Sequence, residues 1–445
     1  MDPVDPSVKP GDSFYDYANN DWLSKTSIPA EKSRWTVFNV LDELSKTHLK
    51  ALFEDLEKEP VGSSIVAELY SAGMDTATID AKGLAPIQDL LNSVASLQSK
   101  QEIWKLVAKL SKQSFGSFFA FGVSPDAKNS TTAVFQFAQG GLGLPDRDFY
   151  ELESKKEQRE KYVLHIAKMN VLAGISQQDA DSQAKLVYDF EVILAKHSLK
   201  MVERRDPVKT YNKKTVAELK TLSPQIDWDG FFGELGLSKL GSVVIESPAY
   251  FSELSKLVEI SPIEQLKAYI KFRILTTAAP YISAPFVDED FNFFKTILNG
   301  IPQNEPRWKR VLSQVSGSIQ DPVSKMYVDK YFPPTAKKAA SELVDFIILA
   351  FKESIQNAAW MEAETIEKAL VKLSKFTVKI GYPDKWMDFT PLNGKISRKT
   401  SYLENIIIAH EYVFQKDVLG RVDKPVDKSK WEMAPFMVNA CTLKT

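Results

Sequence analysis

Apolar residues recur every three or four positions along most of the chain, the spacing that places side chains on one face of a helix. Residues 261–264, Ser-Pro-Ile-Glu, predict a capping box that opens one such helix. Ile263, Leu266, Ile270 and Ile274 follow on one face of it. Comparable amphipathic stretches lie near residues 36–57, 100–113, 152–174, 180–201, 343–355, 361–378 and 400–418. The pattern therefore predicts a mainly α protein.

One region departs from the helical spacing. Residues 118–123 and 134–137 are rich in aromatic and β-branched side chains, and they flank the turn-rich segment 124–130. Two such runs around a turn predict a β-hairpin. Because no internal repeat, low-complexity tract or long linker interrupts the chain, we expect one compact multi-helix unit with a small β-hairpin insertion.

Composition and charge exclude some classes of protein. The 445 residues carry 56 Lys and Arg against 58 Asp and Glu, a balance that argues against a non-specific nucleic-acid binder. No apolar run is long enough for a transmembrane segment, and no signal peptide is visible at the amino terminus. Cys441 is the one cysteine, so no internal disulfide is possible. We expect a cytoplasmic or otherwise intracellular protein, although a chain that begins after a removed targeting segment would look the same.

Catalytic motifs are missing from the sequence. Zinc hydrolases bring two imidazoles together with the His-Glu-x-x-His pattern, but the four histidines here are far apart in sequence. The nearest approach is residues 410–414, His-Glu-Tyr-Val-Phe, where a phenylalanine that cannot bind a metal replaces the second histidine. Cys441 has no histidine near it in sequence, and the glycines of residues 140–143 are not followed by a phosphate-binding Lys-Ser/Thr. We expect no catalytic residue, no metal ligand and no cofactor in this chain.

Several blocks, in order, resemble the amino-terminal region of the neprilysin and endothelin-converting-enzyme family of zinc metallopeptidases, which includes the oligoendopeptidase O type. They are residues 11–23 (GDSFYDYANNDWL), 28–29, 33–35, 141–150 (GLGLPDRDFY), 205–207, 211–213, 306–308, 327–328, 360–361, 379–384 (KIGYPD), 424–427, 431 and 438–440. The resemblance spans nearly the whole chain. Secreted members of the family have cysteines near the positions of Gly11 and Asn19, so this chain is similar to the cysteine-free members.

The resemblance implies two mostly helical lobes around a central cavity, with zinc held by the carboxy-terminal lobe. Residues 11–430 would be the amino-terminal, cavity-covering domain, and residues 431–445 the truncated start of the catalytic domain. A chain without the zinc-binding lobe is expected to be inactive alone. The alternative is a non-catalytic pseudo-enzyme that binds peptides, a missing catalytic lobe or a full-length relative.

Four substrate-binding residues follow from the resemblance alone. Arg34 matches the arginine that contacts the carboxyl end of the substrate, and Asn39 falls where neprilysin has an aspartate beside it. A surface or interdomain salt bridge is the alternative for Arg34. Asn439 and Ala440 match the start of an Asn-Ala-aromatic-Tyr strand that hydrogen-bonds an extended peptide, but residues 441–445 depart from that pattern. A disordered carboxy terminus is the alternative there.

Overall fold

The computed structural model describes residues 4–441, and helices dominate this part of the chain. The α-helices are α1 (Phe14–Lys25), α2 (Val37–Leu56), α3 (Ile65–Met74), α4 (Thr76–Lys82), α5 (Gln88–Ala95), α6 (Lys100–Lys112), α7 (Asp148–Glu151), α8 (Lys156–Leu172), α9 (Gln177–Lys196), α10 (Val216–Leu222), α11 (Trp228–Leu235), α12 (Pro248–Ile260), α13 (Ile263–Ala278), α14 (Ala284–Phe291), α15 (Arg307–Ser318), α16 (Gln320–Tyr331), α17 (Pro334–Gln356), α18 (Ala363–Ser374) and α19 (Tyr402–Val413). The mainly α prediction is confirmed.

The predicted hairpin is part of a larger sheet. Strands β1 (Phe119–Asp126) and β2 (Asn129–Gln139) pair antiparallel, as predicted. The sheet also contains β3 (Asn212–Thr215) and β4 (Ser242–Ile245), in the order β1-β2-β4-β3. Strand β4 runs parallel to β2 and antiparallel to β3. The two short strands escaped prediction because four residues are too few to show an alternating pattern.

A first hydrophobic core surrounds this sheet and the helices between α5 and α14. Phe119, Phe137, Trp228 and Phe251 pack together within it, with the ring centroids of Phe119 and Phe137 5.4 Å apart. Aromatic side chains bury large apolar areas and add edge-to-face attraction, so this cluster ties the sheet to α11 and α12. The buried members of the first core are at most 8% exposed, so elements of the chain itself cover it.

A second hydrophobic core lies between α2, α3, α15, α16 and α19. Phe53 and Tyr70 pack edge to face in it, with ring centroids 5.0 Å apart. The buried carboxylate of Glu68 accepts hydrogen bonds from the Gly62 and Arg398 backbone amides and from the Arg398 guanidinium. Because a buried charge is tolerated only when it is paired, this tie fastens the segment around residue 398 to α3.

Glycines lie in two of the passages, the segments in which the chain goes from one core to the other. Ile79 belongs to the second core and Ile87 to the first, and the chain between them turns at Gly83, whose φ is +50°. The return passage contains Gly300 at φ +69°. A positive φ strains residues with a Cβ, so both passages depend on glycine. Another passage follows α19, where the helix continues as a π-helical turn over Phe414–Val418.

Two details of the predicted helices are corrected. Ser261 ends α12, and α13 begins after Pro262 without a side-chain cap, so the capping box predicted at residues 261–264 is wrong. The Ser261 amide bonds to Leu257 O in the terminal turn of α12, and Pro262, whose side chain has no hydrogen-bonding group, takes the N-cap position of α13. The helix predicted to reach residue 201 ends at Lys196.

Candidate substrate-binding surface

Arg34 lies in the loop of residues 26–36, which connects α1 to α2. Its side chain is exposed, and no hydrogen bond or ion pair with another residue of the stretch 4–441 engages its guanidinium. A planar guanidinium that points its donors into water suits bidentate binding of a carboxylate. The placement is compatible with the predicted role and shows no surface salt bridge for Arg34 within the described chain.

Asn39 lies in the first turn of α2 and takes part in capping that helix. Its Oδ1 accepts a hydrogen bond from the Thr36 amide at 2.9 Å and another from the Thr36 hydroxyl at 2.8 Å. An oxygen that caps a helix start satisfies a backbone donor that the helix leaves unpaired. The Asn39 amide nitrogen is the part of the side chain not used by the cap, and the substrate contact predicted for Asn39 stays a prediction.

Asn439 and Ala440 lie in an exposed stretch without secondary structure near the end of the described chain. The Ala440 amide donates to Asn439 Oδ1 at 2.8 Å, so the pair is held by a local contact. A few residues earlier, Phe436 packs on Tyr327 of the second core, with ring centroids 6.2 Å apart. No hydrogen bond joins Arg34 or Asn39 to this stretch in the part of the chain that the structure describes. Residues 442–445 of the predicted segment 431–445 lie outside that part.

Exposed apolar side chains form a surface where the sequence pattern predicts core positions. On α17 we call them the α17 stripe: Leu343, Phe346, Ile347, Leu349 and Phe351, which are 51–70% exposed. On the first half of α2 they form the α2 stripe: Val37, Phe38, Val40, Leu41 and Leu44, which are 43–65% exposed. Helices α17 and α18 pack against each other, but each buries a single residue, Ile355 and Leu373. Groups of large exposed apolar side chains such as these are typical of interaction sites.

The sequence signal for these two stripes is the same helical periodicity that marks a core. Periodicity does not separate the stripes from true core positions, because it cannot say whether the partner of an apolar face belongs to the same chain. Helix α2 shows both cases: it buries Leu49, Leu52 and Phe53 in its second half and leaves its first half uncovered.

Comparison with known proteins decides the family. Residues 10–383 match the family model described as Peptidase family M13, of which Peptidase_M13_N is the amino-terminal part. The chain belongs to peptidase family M13.

Relatives of this M13 chain come from animals and bacteria. Endothelin-converting enzyme 1 of Mus musculus is 27% identical over 99% of the chain and 59% of its own length, and neprilysin-3 of Drosophila melanogaster is 28% identical over 98% and 59%. The inhibitor complex of Mycobacterium tuberculosis zinc metalloprotease Zmp1 is 30% identical, with a TM-score of 0.92 over 98% of this chain and 66% of that one. The M13 chain thus spans about 60% of the length of the curated relatives it matches. The predicted family and fold class are both confirmed.

The four histidines of this M13 chain are the first candidates for holding zinc, the metal in the name of the Zmp1 metalloprotease. Each imidazole has its own partner: His48 stacks on Tyr331, His165 Nδ1 bonds to Glu289 Oε1, His197 Nε2 lies 3.9 Å from Glu253 Oε2, and His410 Nε2 lies 3.2 Å from Ser318 Oγ.

His165 and Glu289 form the buried pair that most resembles part of a metal site. The second carboxylate oxygen of Glu289, however, already pairs with the Lys168 ammonium at 2.5 Å. Burial lowers the pKa of His165, which favours the neutral imidazole. Burial also opposes ionisation of Glu289, but His165 and Lys168 outweigh it and lower the Glu289 pKa. Across residues 4–441, no three His, Cys, Asp or Glu side chains converge as metal ligands would. Zinc needs three or four such donors, so the residues described do not fit it.

No helix within residues 4–441 combines the length and the apolar character that crossing a bilayer requires.

Proposed function

We propose that this chain is the non-catalytic, cavity-covering part of an M13 zinc metalloendopeptidase that cleaves short peptides, and that it is inactive alone. The observation that carries the proposal is the pair of uncovered apolar stripes on α2 and α17. The division of the chain into residues 11–430 and 431–445 belongs to the same proposal.

Exposed apolar side chains on these two helices are unfavourable in water. Five large apolar side chains of the α17 stripe are more than half exposed, in a helix that buries Ile355 alone. Burial of apolar surface stabilises by about 25 cal/mol per Å², so a face of this kind gains stability when a second polypeptide surface covers it. A catalytic lobe is the occupant that family membership supports, because the curated relatives extend well beyond the matched length.

Zinc content and peptide hydrolysis test the catalytic part of the proposal. The purified chain, incubated with zinc and desalted, is expected to retain far less than one zinc per chain and to leave a quenched fluorogenic peptide intact. Stoichiometric zinc together with turnover would contradict the proposal. A full-length M13 relative, treated in parallel, is the positive control for both measurements.

A second candidate function is that of a partner-binding pseudo-enzyme, and the exposed stripes support it as well. Two matched substitutions test this second candidate function. Ile347→Ser removes an apolar side chain from the α17 stripe. Ile260→Ser is the control, because Ile260 is 75% exposed at the end of α12 and lies outside both stripes. We expect Ile347→Ser to weaken association with a full-length relative in analytical ultracentrifugation, and Ile260→Ser to leave it unchanged. Equal effects of both substitutions would count against a specific surface.

Peptide binding and cellular location complete the proposal. Arg34, Asn39, Asn439 and Ala440 are proposed to contact the peptide substrate once the second lobe is in place. The single cysteine, Cys441, supports an intracellular, reducing location, and fractionation of the native protein in its own cells would test it.

A further inference from the structure

The backbone hydrogen bonds of the loop that carries Arg34 are all local. Among the hydrogen bonds of residues 26–36, the Thr26 and Lys32 amides bond within four residues, and Thr36 bonds to Asn39 in the α2 cap. Ile28 is 57% exposed, so its apolar burial contributes little, whereas Trp35, next to Arg34, is half-buried. The ion pairs that reach from this loop to the segment before α15 and to α15 itself come from Glu31 and Lys32.

These two residues belong to a group of alternating charges, which we call the ionic cluster: Glu31, Lys32, Glu43, Lys46, Glu305 and Lys309. Glu43 of α2 lies at its centre, 2.6 Å from Lys309 Nζ and 3.2 Å from Lys32 Nζ. Lys32 also pairs with Glu305, in the segment that precedes α15. Lys309 reaches back to Glu31 at 3.3 Å. The cluster therefore joins the loop, α2 and α15.

Burial and charge state distinguish the cluster from ordinary surface pairs. The side chains are 12–23% exposed, whereas isolated exposed ion pairs contribute little because water screens them. Burial opposes charge at Lys32, but Glu305 and Glu43 outweigh it and raise the Lys32 pKa. Burial likewise opposes charge at Glu43, yet the lysines around it lower the Glu43 pKa. Lys32 and Glu43 are thus ionised and paired at neutral pH.

We propose that the ionic cluster is the positioning element for Arg34. The backbone is fixed on one side of Arg34 by Glu31 and Lys32, and on the other by the cap between Thr36 and Asn39. With both ends held, the guanidinium is presented to a peptide carboxylate from a defined backbone position, which reduces the entropy lost on binding. The residues of the cluster act through Arg34 and do not touch the ligand. The substrate role of Arg34 rests on the proposed function, whereas the anchoring of its loop does not.

A spin label at position 34 tests the anchoring directly. Cys441→Ser removes the native thiol, and Arg34→Cys then provides one labelling site for electron paramagnetic resonance. We expect Lys309→Met to shorten the rotational correlation time of this label at least about twofold, since side-chain motion on the nanosecond scale reports local freedom. Lys309→Arg, which keeps the charge, is expected to restore the original spectrum.

Two controls separate positioning from general loss of structure. Lys325→Met removes the lysine of an exposed pair with Asp329 on α16 and should leave the spectrum unchanged. A label at Val208→Cys, in a loop outside the cluster, should not respond to Lys309→Met. If Lys309→Met does not fold, Glu31→Gln, which removes a single tie, takes its place.

The result that overturns the proposal is an Arg34→Cys label whose mobility is the same with and without Lys309 or Glu31 in a folded protein. An equal response to Lys325→Met overturns it too. Neither result bears on zinc retention or hydrolysis, so failure here is distinguishable from failure of the proposed function.

Discussion

The first core and the apolar stripes on α2 and α17 differ in how completely the described chain covers them. Around the first core, the sheet and helices α5–α14 cover one another, and Phe119, Phe135 and Phe137 are at most 4% exposed. On α2, whose second half packs in the second core, and on α17, apolar side chains of the same kinds are 43–70% exposed. Elements of the chain itself cover the first region. The exposed stripes would gain stability if a second protein surface covered them. The contrast shows that apolar periodicity alone does not locate a core.

The largest expected effect comes from matched phenylalanine truncations in the two regions. Phe137→Ala in the first core should lower the free energy of unfolding by about 3–5 kcal/mol, because it leaves a cavity among packed rings. Phe346→Ala in the α17 stripe should change it by no more than about 0.5 kcal/mol, since that side chain is 70% exposed. Urea unfolding of both variants measures the difference. A large loss for Phe346→Ala would mean that α17 is packed in solution.

A second comparison concerns one buried glutamate in each core. Glu68 in the second core pairs with Arg398, and although burial opposes charge, the Arg398 and Gly62 donors lower its pKa. Glu191 in the first core accepts from Tyr150 and Tyr162, and burial raises its pKa. Glu68→Gln should therefore cost about 2–3 kcal/mol at neutral pH, because it breaks a buried charge pair, and Glu191→Gln about 1 kcal/mol.

The two glutamates should also give opposite pH dependence. A lowered folded-state pKa means that Glu68 stabilises the fold above its unfolded pKa of about 4.3 and loses this contribution as pH falls. A raised folded-state pKa means that Glu191 favours the folded state more as pH falls through that raised value. Urea unfolding of each variant and of the parent chain between about pH 3 and pH 8 gives the free energies of unfolding that check both signs. Parallel curves for Glu68→Gln and Glu191→Gln would contradict the assignment.

The third expected effect is a gain in stability. Asp290 of α14 lies beside Glu289, and burial raises its pKa from 3.8 to about 6. An ionised Asp290 thus costs stability at neutral pH, and Asp290→Asn should raise the free energy of unfolding at about pH 7.5 by about 1–2 kcal/mol, allowing for screening at a partly exposed site.

The gain from Asp290→Asn should disappear near about pH 4, where the folded-state carboxyl is already protonated. Asp345→Asn makes the same chemical change on the exposed face of α17 and serves as the control, with no expected gain. Thermal unfolding midpoints at both pH values report the result. A gain that persists unchanged at low pH would exclude a charge effect.

Local sequence patterns determined most of the secondary structure. The helical spacing predicted α2, α6, α8, α13, α18 and α19 close to their observed bounds, because an amphipathic face repeats over several turns within each segment. The hairpin of β1 and β2 followed from two aromatic runs around one turn. The ordered blocks of residues also determined the family, which the match over residues 10–383 confirms.

Only the tertiary structure decided what each apolar face contacts. Strands β3 and β4 are defined by their pairing with distant residues, as Phe137 pairs with Ile245, and four-residue segments carry no such information. The same holds for the candidate site: the resemblance predicted Arg34 and Asn39 as site residues, but the ionic cluster around their loop joins residues up to 278 positions apart. Periodicity records that a side chain favours apolar or charged neighbours, and the folded chain alone determines where those neighbours come from.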